Sequence, residues 1–235
     1  MWCVLSPVRS RCTPYLDAVS RHYDLSAYDL ENRTYTVEEW QEIERRTGER
    51  FEYHQGRLLS VSMMAGGTHQ HSRIGGNIIG AVYRALYPDT SREHCGVHSS
   101  DLQIYVPRLG RYLYADATVV CGEPAFDARV PTAITNPVVV VEVLSLSSAA
   151  YDAGVKFDYY SSLPSLRDYV VVSQEDTIVE VRSRGDAGDA WTFAFAQKRA
   201  ALVRIPSVGV DLALAEVYRG IAYAHEENGG EERPR

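Results

Sequence analysis

The sequence predicts a single α/β domain, and three observations support this fold class. The chain has 235 residues, which is enough for one domain with a sizeable core. Segments with helical spacing of apolar residues are interspersed with short runs typical of strands. No internal repeat and no clean linker interrupts this pattern. We therefore expect one domain over residues 34–222, between a poorly defined tail (1–33) and a disordered, charged tail (223–235).

The first part of the domain predicts a helix, a hairpin and a second helix. The T-x-x-E pattern around EEWQEIERR has the spacing of a capping box, so a helix is expected over 37–47. The segment Phe51–Met63 resembles a hairpin with its turn at a Gln-Gly pair. Apolar residues recur every four positions from Ile74 to Leu86, which predicts a helix despite two central glycines that lower helix stability.

The remainder of the domain predicts mainly strands. Apolar and polar residues alternate in segments 101–106 and 111–121, which lie on either side of PRLG, and this pattern indicates a strand pair. The run VVVVEVLS (138–145) has the composition of a strand buried on both faces. The segment YDAGVKFDYYSSL after it predicts a helix that ends before Pro164. Further strands are expected at DYVVVS, TIVEVRS, WTFAFAQ and 201–205.

The composition limits the classes of function. The chain is 45% hydrophobic and 23% charged, as in ordinary globular proteins, and no apolar run approaches the roughly 20 residues that a membrane helix needs. The N-terminal MWCVLSPVRSRC lacks the apolar stretch of a secretory signal. The formal net charge of −7 argues against general affinity for nucleic acid. Such a role would need a local basic patch, or metal ions at an acidic site.

The cysteines indicate a compartment. Cys3, Cys12, Cys95 and Cys121 are scattered and form no CxxC pair. This spacing is a poor disulfide framework, and it fits the reducing environment of the cytoplasm.

Two carboxylates stand inside apolar strands, where an ionised group is costly unless it is paired, hydrogen-bonded or bound to a cation. Glu142 interrupts VVVVEVLS, and Asp116 interrupts YADATVV. For either acid alone, a buried salt bridge is the simpler interpretation. Two acids in consecutive apolar strands favour a hard divalent cation, because such cations prefer oxygen ligands.

Lys156 follows on the helix after the Glu142 strand. It has the i,i+4 spacing for an ion pair with Asp152 on one helix face. Alternatively, its ammonium group lies close to the metal and steadies a water molecule or a developing phosphate charge.

The ordered series DLQIYV, YADATVVC, NPVVVVEVLS, YDAGVKFDYY and DYVVVS resembles the Uma-two family of endonucleases, within the PD-(D/E)XK or restriction-endonuclease-like superfamily. FEYHQGRL and HSRIGGNI match the opening segments of that family, so the resemblance extends from Thr36 to Ile221. It implies a restriction-endonuclease-like mixed sheet flanked by helices, with extra antiparallel strands and a divalent-metal nuclease site.

The resemblance also assigns residues to that site. Asp116, Glu142 and the backbone carbonyl of Val143 would hold Mg²⁺ or Mn²⁺. Leu144 occupies the position of the superfamily's motif lysine, and the family pattern moves that role to Lys156. Glu52 matches a further acid and is a candidate additional ligand.

The substrate implied by the resemblance is nucleic acid, with DNA expected. His71 and Asp101 match family positions that would line or border the cleft. A phosphate-binding rim is predicted at four basic residues, with a solvated surface as the alternative: Arg73, Arg84, Arg108 and Arg111. Many nucleases of this superfamily cut two strands with two subunits, so a homodimer is expected.

Three other interpretations stay open. HCGVH and HQH contain imidazole and thiolate ligands that can bind zinc at short spacing. The missing lysine beside Glu142 would fit an inactive nuclease-fold module that binds nucleic acid or protein. Two carboxylates could also serve as acid and base on a sugar, although that chemistry depends on a separation read from a structure.

Overall fold

The computed structural model describes residues 28–61, 68–87, 94–145, 149, 151–186 and 190–223. The helices in chain order are α1 (Val37–Thr47), α2 (His69–Leu86), a π-helix (Tyr151–Lys156) continuing into α3 (Phe157–Ser161), and α4 (Leu214–Val217). The strands are β1 (Phe51–His54), β2 (Arg57–Ser60), β3 (Cys95–Ser99), β4 (Gln103–Val106), β5 (Arg111–Tyr114), β6 (Ala117–Cys121), β7 (Ala133–Ile134), β8 (Val139–Leu144), β9 (Asp168–Ser173), β10 (Ile178–Arg184), β11 (Trp191–Gln197), β12 (Leu202–Ile205) and β13 (Val210–Ala213). Short 3-10 turns occupy Pro107–Leu109 and Pro206–Val208.

Helix α1 begins at the predicted capping box. The Thr36 hydroxyl accepts a hydrogen bond from the Glu39 N–H, and the Glu39 carboxylate accepts one from the Thr36 N–H. The helix ends at Gly48, whose φ of 71° lies in the left-handed region that favours glycine. Trp40 packs against the ring of Tyr53 in β1, with ring centroids 5.3 Å apart. The hairpin predicted after this helix is confirmed as β1 and β2, with its turn at Gln55 and Gly56.

The strands of the described residues form three sheets. One has the order β2-β1-β5-β4-β7, the second has the order β11-β10-β9-β8-β6-β3, and β12 and β13 form a two-stranded sheet. In the six-stranded sheet β8 and β9 run parallel, and the other neighbouring strands are antiparallel. The mixed sheet expected from the sequence is therefore present.

The strand predicted over 111–121 is wrong as a single strand. It is divided into β5, which belongs to the five-stranded sheet, and β6, which belongs to the six-stranded sheet. The alternation of apolar residues continues through the buried Ala115, so the sequence pattern does not reveal that the chain changes partners there. Asp116 lies at this junction.

Strand β8 is buried on both faces, as predicted. Val139, Val141 and Val143 belong to the hydrophobic cluster that contains α2, whereas Val140 belongs to the cluster around α3. Because side chains alternate along a strand, Glu142 shares the α3 side of the sheet with Val140.

The expectation of unpaired cysteines is contradicted by a disulfide between Cys95 and Cys121. The two residues are directly opposite each other in the register of β3 with β6. They are separated by 26 positions in sequence, so their pairing depends on a strand, β3, that was not predicted. The segment CGVHS contains Gly and His and suggested metal ligands instead.

Among the described residues, packed side chains reach from Tyr28 to Tyr223. Tyr28 and Leu30 pack against the cluster around Trp40, and Tyr223 is buried. The rest of the predicted tails, residues 1–27 and 224–235, lies outside the described residues. Within the described ranges, no helix has both the length and the apolar character needed to cross a membrane.

Candidate active site

A cavity of about 340 Å³ opens where the two larger sheets meet the π-helix and α2. Its lining includes acidic, basic and aromatic side chains that are far apart in sequence: Arg50, Glu52, His71, Asp116, Glu142, Tyr151, Asp152 and Lys156. The sequence-predicted residues Glu52, His71, Asp116, Glu142 and Lys156 are therefore brought together in one place.

Glu142 has a cationic partner from the next helix. Its side chain is buried, and its Oε1 lies 3.2 Å from the Lys156 Nζ. The buried salt bridge, which was the simpler interpretation of this acid, is thus present. The partner could not be recognised within the strand because Lys156 follows in the π-helix.

Lys156 is surrounded by acceptors. Its buried Nζ lies 3.2 Å from Glu52 and 3.3 Å from Asp152, in addition to Glu142, and it donates to the Tyr114 carbonyl at 2.9 Å. The predicted i,i+4 pair with Asp152 is confirmed. The contacts with the Tyr114 carbonyl and Glu142 are hydrogen bonds, and those with Glu52 and Asp152 are ion pairs. One cation therefore holds carboxylates from β1, β8 and its own helix.

Glu52 lies in β1, and both oxygens of its carboxylate have partners. Oε1 contacts Lys156 and accepts from the Tyr114 N–H at 3.4 Å. Oε2 accepts from the Tyr151 hydroxyl at 2.7 Å and lies 3.1 Å from the His54 Nε2. These contacts position Glu52 as an anchor for Lys156.

Asp116 lies immediately before β6, where the chain passes between the two sheets. The antiparallel register of β6 with β8, continued by one residue, places it opposite Glu142. Its Oδ2 accepts a hydrogen bond from the Val143 N–H at 2.6 Å, and the His71 Nε2 lies 3.4 Å from the same oxygen. The two predicted acids therefore lie beside each other at one edge of the cavity.

Negative charge exceeds positive charge among the buried groups of this cavity. Burial raises the pKa of Glu142 well above its ordinary value, Lys156 opposes the rise, and the neighbouring carboxylates add to it. Burial would lower the pKa of Lys156, but Glu142 and Glu52 raise it well above its ordinary value. Burial also favours a higher pKa for Glu52, but Lys156 and the bonds from His54 and Tyr151 lower it. The excess of carboxylates favours a further cation.

His71 contacts two of the three groups that were predicted to hold the metal. Its pKa is raised chiefly by the hydrogen bond to Asp116, while burial acts in the opposite direction. A hydrogen bond with the Val143 backbone raises the pKa further. The imidazole therefore lies at the predicted metal-binding edge of the cavity.

The donor chemistry of this edge fits a hard cation. Asp116, Glu142 and the Val143 carbonyl all offer oxygen, and Mg²⁺ usually keeps several waters and needs only one or two carboxylates. Within the part of the chain that the structure describes, no three His, Cys, Asp or Glu side chains are grouped as a metal-binding shell. A bound ion would therefore depend on water or substrate oxygens for its remaining ligands.

The predicted zinc alternative does not assemble. Cys95 of HCGVH is consumed in the disulfide, and His71 of HQH contacts Asp116. Among the described residues, neither motif belongs to a group of three or more His, Cys, Asp or Glu side chains that could hold a metal ion.

Several other predicted residues lie away from the cavity centre. Asp101 is exposed and pairs with Arg50, which lines the cavity. Arg73 donates to the Arg219 carbonyl, and Arg84 pairs with Glu216.

The remaining two predicted rim residues lie on the side of α3. The Arg111 guanidinium lies 3.9 Å from the Tyr159 ring and 2.7 Å from the His54 Nδ1. Arg108 is exposed on the 3-10 turn before β5. The four arginines therefore do not form one continuous rim.

Three contributors to the site were not predicted as such: His54, Tyr114 and Tyr151. Tyr114 contacts Glu52 and Lys156 through its backbone, which no side-chain pattern can reveal. Asp152 was recognised only by its spacing from Lys156, and its place in the cavity depends on the π-helix. Single turns of π-helix occur frequently at functional sites.

Comparisons with known proteins give the same family as the sequence motifs. The model of the Uma2 (Uma-two) family, described as "Putative restriction endonuclease", matches residues 37–215. The uncharacterized protein slr1290 of Synechocystis sp. is 33% identical over 186 residues, covering 79% of this chain and 92% of the relative. A second uncharacterized protein of Synechocystis sp., sll1609, is 30% identical over 139 residues, covering 59% of this chain and 75% of the relative.

Proposed function

Because the chain belongs to the Uma2 family, we propose that it is a divalent-metal-dependent endonuclease that hydrolyses phosphodiester bonds in DNA. The restriction-endonuclease-like α/β fold expected from the sequence agrees with the family match and with the mixed sheets of the structure. The proposed metal is Mg²⁺ or Mn²⁺, and its ligands are Asp116, Glu142 and the backbone carbonyl of Val143.

The observation that carries the proposal is the excess of carboxylates in the cavity. Glu52, Asp116, Glu142 and Asp152 all line it, and among the described residues only the Lys156 ammonium group contacts three of them. A buried acid without compensation is costly, so this arrangement favours uptake of a cation. A nuclease that uses metal ions needs such a site beside its scissile phosphate.

The residues of the chain have distinct roles in this proposal. A bound divalent cation would supply a water of lowered pKa and offset negative charge on the phosphate. Asp116 is oriented by the Val143 N–H and His71, so its carboxylate is fixed before substrate binds. Glu52 holds Lys156, whose ammonium would stabilise charge on the phosphate or position the attacking water.

The test is cleavage of plasmid and labelled oligonucleotides by purified protein in Mg²⁺ or Mn²⁺. Asp116→Asn and Glu142→Gln are each expected to lower the rate at least about a hundredfold, as when one electrostatic stabiliser is removed. Asp211→Asn is the matched control, because Asp211 is an exposed acid paired with Arg204 outside the cavity. EDTA should abolish cleavage by the wild type.

Failure of the wild type to cleave DNA in either metal would contradict the proposal, as would full activity of both acid variants. Calorimetry with Mn²⁺ adds a readout that does not depend on turnover, since binding should be lost in both variants. Metal-independent DNA binding without cleavage would instead favour the inactive nuclease-fold module. The ion pair between Glu142 and Lys156 fits that alternative.

A further inference from the structure

We propose that a second groove, here called the arginine groove, binds the phosphates of a nucleic-acid strand outside the candidate active site. The groove has a volume of about 510 Å³, and the residues that matter for the proposal are Arg108, Arg167, Arg184, Asp186 and Trp191. Its use as a substrate subsite depends on the proposed nuclease function, whereas its affinity for a polyanion does not.

The charge of the groove differs from that of the whole chain. Three arginines and one aspartate line it, although the formal net charge of the chain is −7. Arg108 and Arg167 are exposed, and neither guanidinium has a hydrogen-bond or acidic partner among the described residues. This is the local basic patch that an acidic protein needs for nucleic-acid binding.

Arg184 has a structural task in the same groove. Its guanidinium donates to the carbonyls of Leu166 at 2.9 Å and Leu163 at 3.1 Å, and to that of Ser161 at the end of α3. It also lies over the Trp191 ring at 4.8 Å from the centroid. Arg184 therefore offsets the negative end of α3, and the positive charge available to a ligand comes from Arg108 and Arg167.

The chemistry of the groove favours a nucleic-acid strand over an acidic polypeptide. A planar guanidinium group can bind two oxygens of one phosphate at the same time. Trp191 provides a partly exposed aromatic ring beside these groups. A positive groove combined with an aromatic side chain is the usual arrangement for binding single-stranded nucleic acid.

The position of the groove connects it to the candidate active site. Tyr151 and Lys156 line the active-site cavity, while Ser161 and the following residue line the groove. From Tyr151 to Ser161 the helical axis extends about 15 Å. That length corresponds to about four nucleotide steps along one strand of a duplex. In the proposal, about four nucleotide steps of one strand therefore separate the active site from the groove.

The experiment measures DNA binding in EDTA, where no cleavage occurs, by fluorescence anisotropy over a range of salt concentrations. The test variant is Arg108→Gln/Arg167→Gln. The matched control is Arg45→Gln/Arg46→Gln on α1, which changes the charge equally and leaves both the cavity and the groove intact. Thermal unfolding of both variants verifies that they fold.

We expect the groove variant to bind at least tenfold more weakly, and the control to bind like the wild type. The slope of log affinity against log salt should become less steep by about 1.4 for single-stranded DNA or about 1.8 for duplex DNA, because two phosphate contacts are lost. Equal weakening in both variants would overturn the proposal, and so would no weakening in either. Retained affinity for polyglutamate with no affinity for DNA would identify an acidic polypeptide as the partner and would also overturn it.

Cleavage assays separate this proposal from the nuclease function. On a long substrate the groove variant should have a higher KM than the wild type and the same kcat. On a substrate too short to reach the groove, both constants should match those of the wild type. Equal kinetics on both lengths would overturn the subsite while leaving the nuclease function intact. If the wild type does not cleave but the groove variant still loses DNA affinity, the nuclease function fails and the binding groove stands.

Discussion

At the scale of single residues, the buried charges depend on one another. Lys156 is in contact with Glu52, Glu142 and Asp152, so each of these acids relies on a cation that it shares. Removing one partner of a buried ion pair leaves an uncompensated charge, which costs more than the pair contributes. The stability of the domain and the chemistry of the cavity therefore rest on the same ammonium group.

Lys156→Met is expected to lower the free energy of unfolding by about 3–5 kcal/mol, because three buried carboxylates lose their cation. Urea unfolding of the metal-free protein measures this loss. Adding Glu142→Gln to the variant should recover part of it, since one of the unpaired acids becomes neutral. Unchanged stability in Lys156→Met would show that water or another group compensates these acids.

Much of the site could be predicted at this scale, for a physical reason. Asp116 and Glu142 stand out because an acid in an apolar strand needs a partner. His54 does not stand out, since a histidine at the end of a strand is ordinary in sequence. Its contact with Glu52 lies within β1, and its contact with Tyr151 exists only because β1 meets the π-helix.

At the scale of elements, local patterns predicted α1, α2, the first hairpin and β8, whose capping and periodicity are encoded within each segment. Local patterns failed where the structure of a segment depends on its contacts with another segment of the chain. The sequence of β5 and β6 predicted one strand because both are apolar. In β3, Val97 is the single β-branched residue, so the segment does not have the composition of a typical strand. The predicted helix after β8 begins as a π-helix, which no spacing of apolar residues indicates.

The disulfide should stabilise the edge strand β3 and, through it, the domain. Cys95→Ser/Cys121→Ser is expected to lower the free energy of unfolding by about 2–4 kcal/mol, because the bridge closes a loop of moderate length in the unfolded chain. Thermal unfolding with and without dithiothreitol measures the effect. Reductant should shift the wild type and leave the double variant unchanged. A wild type that is insensitive to reductant would show that the bridge contributes nothing.

At the scale of the whole molecule, the six-stranded sheet ends at an uncharged edge. Strand β11 pairs only with β10 among the described strands, and its side chains Phe193 and Phe195 are 60% and 70% exposed. Natural edge strands usually carry charges or bulges that prevent pairing with another chain. The sequence WTFAFAQ has neither feature, so this edge is the described surface that best fits the expected homodimer.

The expected homodimer therefore predicts that Phe193→Ser/Phe195→Ser is monomeric. Antiparallel pairing of two β11 strands around Ala194 would place each Phe193 opposite the partner's Phe195, and serine removes that apolar contact. Sedimentation velocity measures the mass of both forms. Phe126→Ser is the control, because Phe126 is also exposed but lies outside this edge. A monomeric wild type would contradict the prediction.

The division of the chain at Asp116 has a consequence for how the sequence can vary. Two residues, Ala115 and Asp116, join strands that belong to different sheets. An insertion or deletion of one residue here would turn every side chain of β6 to the opposite face, since strand orientation repeats every two residues. The position of Asp116 therefore depends on the register of β6 in the six-stranded sheet. In related sequences, insertions and deletions should fall outside this short connection.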